Sequence, residues 1–181
     1  ITPSLNQAIN DFVLSGAARA ERGDGDKPCT MMINVSRRWA VHRDIRNKVL
    51  QRVQTISAYF EIPGAEEIYM DQLEERWNES FSPLVNAFNG NGDEGPEEVI
   101  LSGGGRSSDD PIRVLAESSE SGNARPARSI SFDSIRPHIR PFLMEIRNPN
   151  NHRILNWHTD NVIDFDEEPN LKAIIHGGWK L

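Results

Sequence analysis

The chain predicts an α/β fold, a largely parallel sheet with helices on both faces and three layers in all. The first observation behind this is the run Thr30-Met31-Met32-Ile33-Asn34-Val35, short, apolar and bounded as a buried strand is. The second is that it leads directly into Val41, Ile45, Val49, Val53, Ile56 and Phe60, apolar at every third or fourth position along about five turns of helix. The third is a pair of later runs of buried-strand character, Phe142 to Ile146 and Leu171 to His176. A strand feeding a helix is the unit of such sheets, so these three strands are expected to be neighbours.

Each element has its own signal. Ser4 and Gln7 form an S-x-x-Q capping box, and Leu5, Ala8, Ile9, Phe12, Val13 and Ala17 make the stripe of a helix that ends by Gly23. The loop Gly23 to Pro28 turns the chain into the first strand. Ser36 is the expected N-cap of the next helix. After Pro63-Gly64, the four-residue spacing of Tyr69, Leu73, Trp77 and Phe81 marks the buried side of a third helix, with a short helical turn expected around Leu84, Val85 and Phe88. Residues 90–129 are rich in glycine, serine and proline and read as a variable insertion, bracketed by two strand-like runs, Glu98 to Leu101 and Ile112 to Leu115. Ser131, Ser134 and Ile135 predict a short helix to His138 that Pro141 stops before the Phe142 to Ile146 strand. Ile154 to Trp157 is a further strand candidate, and Asp160, Asp164, Asp166, Glu167 and Glu168 make an acidic loop before the last strand, which runs into Gly177-Gly178.

Composition limits the function. With 181 residues the chain has a single domain's length, here residues 1–181, and its 37% hydrophobic and 26% charged content is that of a soluble globular protein. No apolar run is long enough to span a bilayer. Cys29, the only cysteine, cannot make an intrachain disulfide, and no charged-then-apolar leader is visible, so a cytoplasmic location is expected. The start at Ile1 and the end at Leu181 suggest a piece of something longer.

Charge is where the sequence points to a site. The formal net charge is -7, yet Arg37, Arg38, Arg43, Arg46, Lys48 and Arg52 face only Asp44 between positions 37 and 52. The turn from strand to helix directs backbone N–H groups at one spot, which suits a phosphate, and Ser36, Arg37 and Arg38 are the candidate phosphate-binding residues. The same stretch could equally be plain core with a capping serine. From Glu61 to Glu98 the balance reverses, with Arg76 the sole cation, and a solvated acidic face explains this better than a metal site. His158, Asp160 and Asp164 are the nearest approach to a metal cluster, but their spacing matches no ligand pattern, and no metal site is expected. No G-x-x-x-x-G-K-[ST] loop, no acid-x-lysine pair at any of the four lysines and no G-x-S-x-G elbow occurs, so no self-sufficient active site is expected.

Thr30-Met31-Met32-Ile33-Asn34-Val35-Ser36-Arg37 resembles the M-L-I-H-x-S-R strand of the bacterial Z-one domain, often labelled an endonuclease domain. Ala173-Ile174-Ile175-His176-Gly177-Gly178-Trp179-Lys180-Leu181 resembles its I-I-x-G-G-N-K-L-S-R-G segment. The resemblance covers most of the chain outside residues 90–129. It implies a RecA-like second lobe following a DEAD-type ATPase lobe in the same chain, part of a DNA-translocating, helicase-like subunit of an ATP-dependent restriction system. The implied ligands of the full-length protein are ATP and magnesium, with double-stranded DNA and a separate nuclease subunit as partners. Gly177 and Gly178 would then let the chain approach ATP or DNA at the lobe interface. Trp179 departs from the family's usual polar residue, and the S-R-G-L-T continuation and the later arginine motif lie beyond Leu181, so the lobe is expected to be incomplete. Two other readings stand beside the motor lobe: a non-catalytic module docking a nuclease subunit through the acidic surface, and an intrinsic endonuclease.

Overall fold

The structure is a computed structural model and describes residues 1–83, 130–156 and 163–178. The expected helical turn at Leu84 to Phe88, the insertion at 90–129 with its two strand-like runs, and Trp157, His158, Asp160 and Trp179 lie outside the described residues.

Helix α1 (Pro3–Glu21) starts two residues earlier than its expected capping box. Thr2 is the N-cap, its hydroxyl accepting from the Leu5 N–H at 3.3 Å, and Pro3 fills the first helical position, where a missing N–H costs nothing. The buried side carries Ile9, Phe12, Val13 and Ala17 as the stripe requires, and Gly23 follows with the positive φ of 87° that reverses the chain. Strand β1 is Cys29–Ile33. Helix α2 (Trp39–Tyr59) buries Val49, Val53 and Ile56, with Phe60 just past its end. Helix α3 (Glu66–Ser80) buries Tyr69, Leu73 and Trp77 and turns Asp71, Glu74 and Glu75 to solvent.

The largest departure from expectation is helix α4 (Phe132–Arg147), which runs straight through Pro137 and Pro141 and takes in the whole segment expected as a strand. Phe132, Ile135, Ile139, Phe142, Leu143 and Ile146 are all buried, and their spacing is helical once the six are read together. Both prolines lie four residues apart on the exposed side. Water can therefore satisfy the Asp133 and Pro137 carbonyls that lose their intrahelical donors. Two interior prolines cost about 3 kcal/mol each, while burying an apolar side chain is worth about 1.5–3 kcal/mol. Six such burials outweigh the prolines.

The strand expected at Phe142 to Ile146 is supplied instead by β2 (His152–Asn156), reached through a single 3₁₀ turn at Pro149–Asn151. With β3 (Lys172–Gly178) it completes a three-stranded sheet of order β1-β3-β2. Both pairings are parallel: Cys29 to Ile33 lie beside Lys172 to His176, and His152 to Asn156 beside Ile174 to Gly178. The all-buried pattern of β3 fits its central place.

Helices on both faces were expected, but the four described helices share a single core with one face. Cys29, Ile33 and Ile174 join that core, with Met31 packed against it. Thr30 and Met32 point the other way and are exposed. On that second face Leu171, Ala173 and Ile175 are buried, with Leu155 and Ile163 as their apolar neighbours among the described residues. The fold is thus α/β with a small parallel sheet. The acidic loop is tied to it by Arg153, whose guanidinium forks onto the Glu168 carboxylate and holds that carboxyl below its usual range.

Candidate functional site

Parallel strands end at one edge, and ligands of open α/β sheets collect outside the carboxyl ends. Here that edge is built from Asn34 to Arg38 after β1, the first turn of α2, and Gly177-Gly178 at the end of β3. The five candidate residues therefore meet in one place.

Ser36 does not cap α2. The N-cap is Arg38, and no side chain caps the helix. Ser36 works two residues earlier: its hydroxyl accepts from the Arg38 N–H at 3.1 Å, closing a tight local turn that competes with helix and delays its start to Trp39. The Ser36 carbonyl is held in turn by His42, whose Nε2 lies 2.5 Å away. A carbonyl can only accept, so His42 carries its proton on Nε2. His42 is fully buried and Val41, expected on the apolar stripe, is 37% exposed. The buried stripe thus begins one residue later than the aliphatic pattern says.

The two glycines differ. A Cβ on Gly178 would stand 2.8 Å from His42 Cδ2 and 3.5 Å from Trp39 Cα, so only glycine lets α2 start this close to β3. A Cβ on Gly177 would make ordinary contact, 3.7 Å from Asn34 Cγ.

The basic stripe divides along α2. Arg46 donates through Nε to the His152 carbonyl at 2.6 Å and through Nη2 to that of Pro149 at 3.1 Å. Arg52 donates to Asn6 Oδ1 at 2.6 Å, and Lys48 pairs with Asp44 at 2.7 Å. These three cations are structural. Arg37, Arg38 and Arg43 are exposed, and among the described residues no carboxylate pairs with any of them. Arg43 lays its guanidinium 5.5 Å from the ring centroid of Trp39, which is itself 38% exposed.

Beneath this edge lies a group of buried imidazoles that sequence reasoning missed. His176 on β3 and His152 on β2 stack with centroids 6.1 Å apart. His152 Nε2 donates to the Ile146 carbonyl at 2.8 Å and His176 Nδ1 to that of Arg153 at 3.3 Å. Each ring, His42 included, leaves its second nitrogen buried without a partner among the described residues. Burial above all, helped by the nearby charges of His152, Arg46 and His42, pushes His176 down to about 4, against the single proton-favouring bond to Arg153. Burial also lowers His152. Among the described residues no three His, Cys, Asp or Glu side chains come together as a metal-holding set. The signal in the sequence was spacing: His42 stands three and seven residues before Ile45 and Val49.

A shallow cleft at the opposite, amino-terminal end of β3 is lined by Asp26, Glu145 and Lys172. The Lys172 ammonium there is already bound to the Lys27 carbonyl at 2.7 Å and the Asn170 carbonyl at 3.3 Å, so it offers no free cation. No helix among the described residues is long and apolar enough to cross a membrane.

No curated protein and no solved structure matches the chain. The Z1 domain family model matches residues 4–181, spanning both segments that carry the resemblance, and the chain belongs to that family.

Proposed function

We propose that this chain is the second, RecA-like lobe of a superfamily-two ATP-dependent DNA translocase, the helicase-like subunit of a bacterial restriction system, working in the cytoplasm. In this reading Arg37 and Arg38 contact backbone phosphates of DNA, and the Ser36 turn orients them. Gly177 faces the interface with a DEAD-type ATPase lobe of the same chain, where ATP and magnesium are held. Gly178 sets how closely α2 approaches. A separate nuclease subunit does the cutting. One observation supports it most: Arg37, Arg38 and Arg43 stand exposed and unpaired by any described carboxylate, at the carboxyl edge of a parallel sheet, in a chain of net charge -7. Cations in an acidic protein normally find local carboxylates, as Lys48 does, and three left without them form an anion-binding surface.

A second reading, a docking module for a nuclease subunit, draws on the outward Asp71, Glu74 and Glu75 of α3. Mutation separates the two. Replacing Arg37 and Arg38 by alanine is expected to weaken binding to unrelated duplexes alike and to reduce the slope of log K against log salt by about 1 for each phosphate no longer neutralised. Titrations of several duplexes at two salt concentrations measure this. Unchanged affinity and slope on all of them would return both arginines to the solvated surface and favour the docking module.

A further inference from the structure

Trp39 is the first residue of α2, directly after the two arginines assigned to phosphate, and it is 38% exposed with Arg43 over its ring at 5.5 Å. Val35, in the same turn, is 60% exposed. An exposed indole is costly to leave in water, and one backed by a guanidinium offers a polarised flat surface. Duplex DNA presents only sugar and phosphate to a ring placed beside a phosphate-binding turn. An unpaired base presents a π-face, and base–aromatic stacking tolerates any sequence.

We propose that the β1–α2 turn binds single-stranded nucleic acid, with Arg37 and Arg38 on the backbone and Trp39, supported by Arg43, as a stacking platform for one unpaired base. The proposal rests on the phosphate-binding reading above and adds the form of the ligand. Three exposed arginines free of described carboxylate partners supply the charge complement to a strand of phosphates.

The test is a fluorescence-anisotropy titration of the whole chain with three probes of equal length: a thymidine oligonucleotide, an abasic strand with the same backbone, and a duplex. Trp39→Ala is expected to weaken binding of the thymidine strand by about 5- to 150-fold, the range of one lost stack, and to leave the abasic strand and the duplex unchanged. Trp39→Phe is expected to keep most of the affinity, and thermal melts confirm that both variants are folded. Equal losses on thymidine and abasic strands, or no loss on thymidine, would overturn the stacking platform. Arg37→Ala with Arg38→Ala should weaken all three probes, and if it weakens none the phosphate reading fails whatever Trp39 does. Binding of an acidic, apolar peptide in place of any nucleic acid would overturn both.

Discussion

His176 shows how one buried side chain ties the stability of the site to pH. Its ring is fully buried and held neutral, with a folded value of about 4 against the ordinary 6.5. Above pH 6.5 the ring is neutral folded or unfolded, and the shift has no effect. As pH falls from 6.5 toward 4 the unfolded chain takes up a proton that the folded chain refuses, so stability is lost through that window and the loss levels off below it. At pH 5 the loss comes to about 2 kcal/mol. Urea midpoints at pH 7 and pH 5 should therefore differ, and the gap should shrink in His176→Asn, whose amide N–H can replace the Nδ1 bond to the Arg153 carbonyl. A gap of the same size in the variant would place the acid sensitivity elsewhere. At this scale the sequence was half legible. The arginines that stand exposed at the strand ends were visible as charge, but the pattern could not say that Arg46 and Arg52 are consumed by the Pro149 and His152 carbonyls and by Asn6, because those partners are 46 to 106 residues away. Ser36 reads as a cap and serves a turn, since both uses need the same hydroxyl.

Among the elements, α1 and α4 make the tightest contact of the described helices. A Cβ on Gly16 would stand 2.3 Å from two Phe142 ring carbons, and the same ring meets Phe12 edge-on at 5.3 Å. Gly→Ala in an exposed helix gains about 1 kcal/mol of propensity. Here overpacking, at about 1–3 kcal/mol, opposes that gain and should win, because a ring locked between two helices has little room to yield. Gly16→Ala is thus expected to lower the thermal midpoint by a few degrees. Phe142→Leu should recover part of the loss in the double variant, which a thermodynamic cycle measures. A midpoint raised by Gly16→Ala alone would mean that α4 slides aside freely. The same pair of helices explains the main misreading of the sequence. Phe142 to Ile146 looks like a strand when Pro141 is taken as a stop. The structure keeps the helix because Phe132, Ile135 and Ile139 upstream commit one face to α1 while both prolines fall on the water side. Strands β1 and β3 were legible within two residues at each end, since each is a bounded run ending at a turn. Strand β2 was only glimpsed at Ile154, because its first residues, His152 and Arg153, are polar groups buried or half-buried by partners that the local pattern does not show.

At the scale of the molecule, acidic and basic regions are segregated among the described residues: α3 presents carboxylates to solvent, and the strand ends present arginines that no described carboxylate pairs. Such an arrangement can bind an anion, but chemistry on a phosphate requires more. Hydrolysis of ATP requires a loop that cradles the phosphates, a carboxylate holding magnesium and usually an arginine aimed at the transferred group. The sequence contains no loop of that kind, and the basic turn after β1 offers two arginines, Arg37 and Arg38, and no lysine. Strand cleavage requires carboxylates converging on a metal beside a group that activates water. Asp164 is exposed and spends one oxygen on the Asp166 N–H at 2.9 Å, a local turn rather than a ligand geometry. The 181-residue chain alone is therefore expected to show neither phosphate release nor DNA nicking above background. The assay combines magnesium or manganese, supercoiled DNA and ATP, with an Asp160→Ala, Asp164→Ala variant as the control for contaminating enzymes. Activity shared by the wild type and the variant is contamination. Activity present in the wild type and abolished in the variant would make the chain an endonuclease in its own right and displace the motor-lobe proposal.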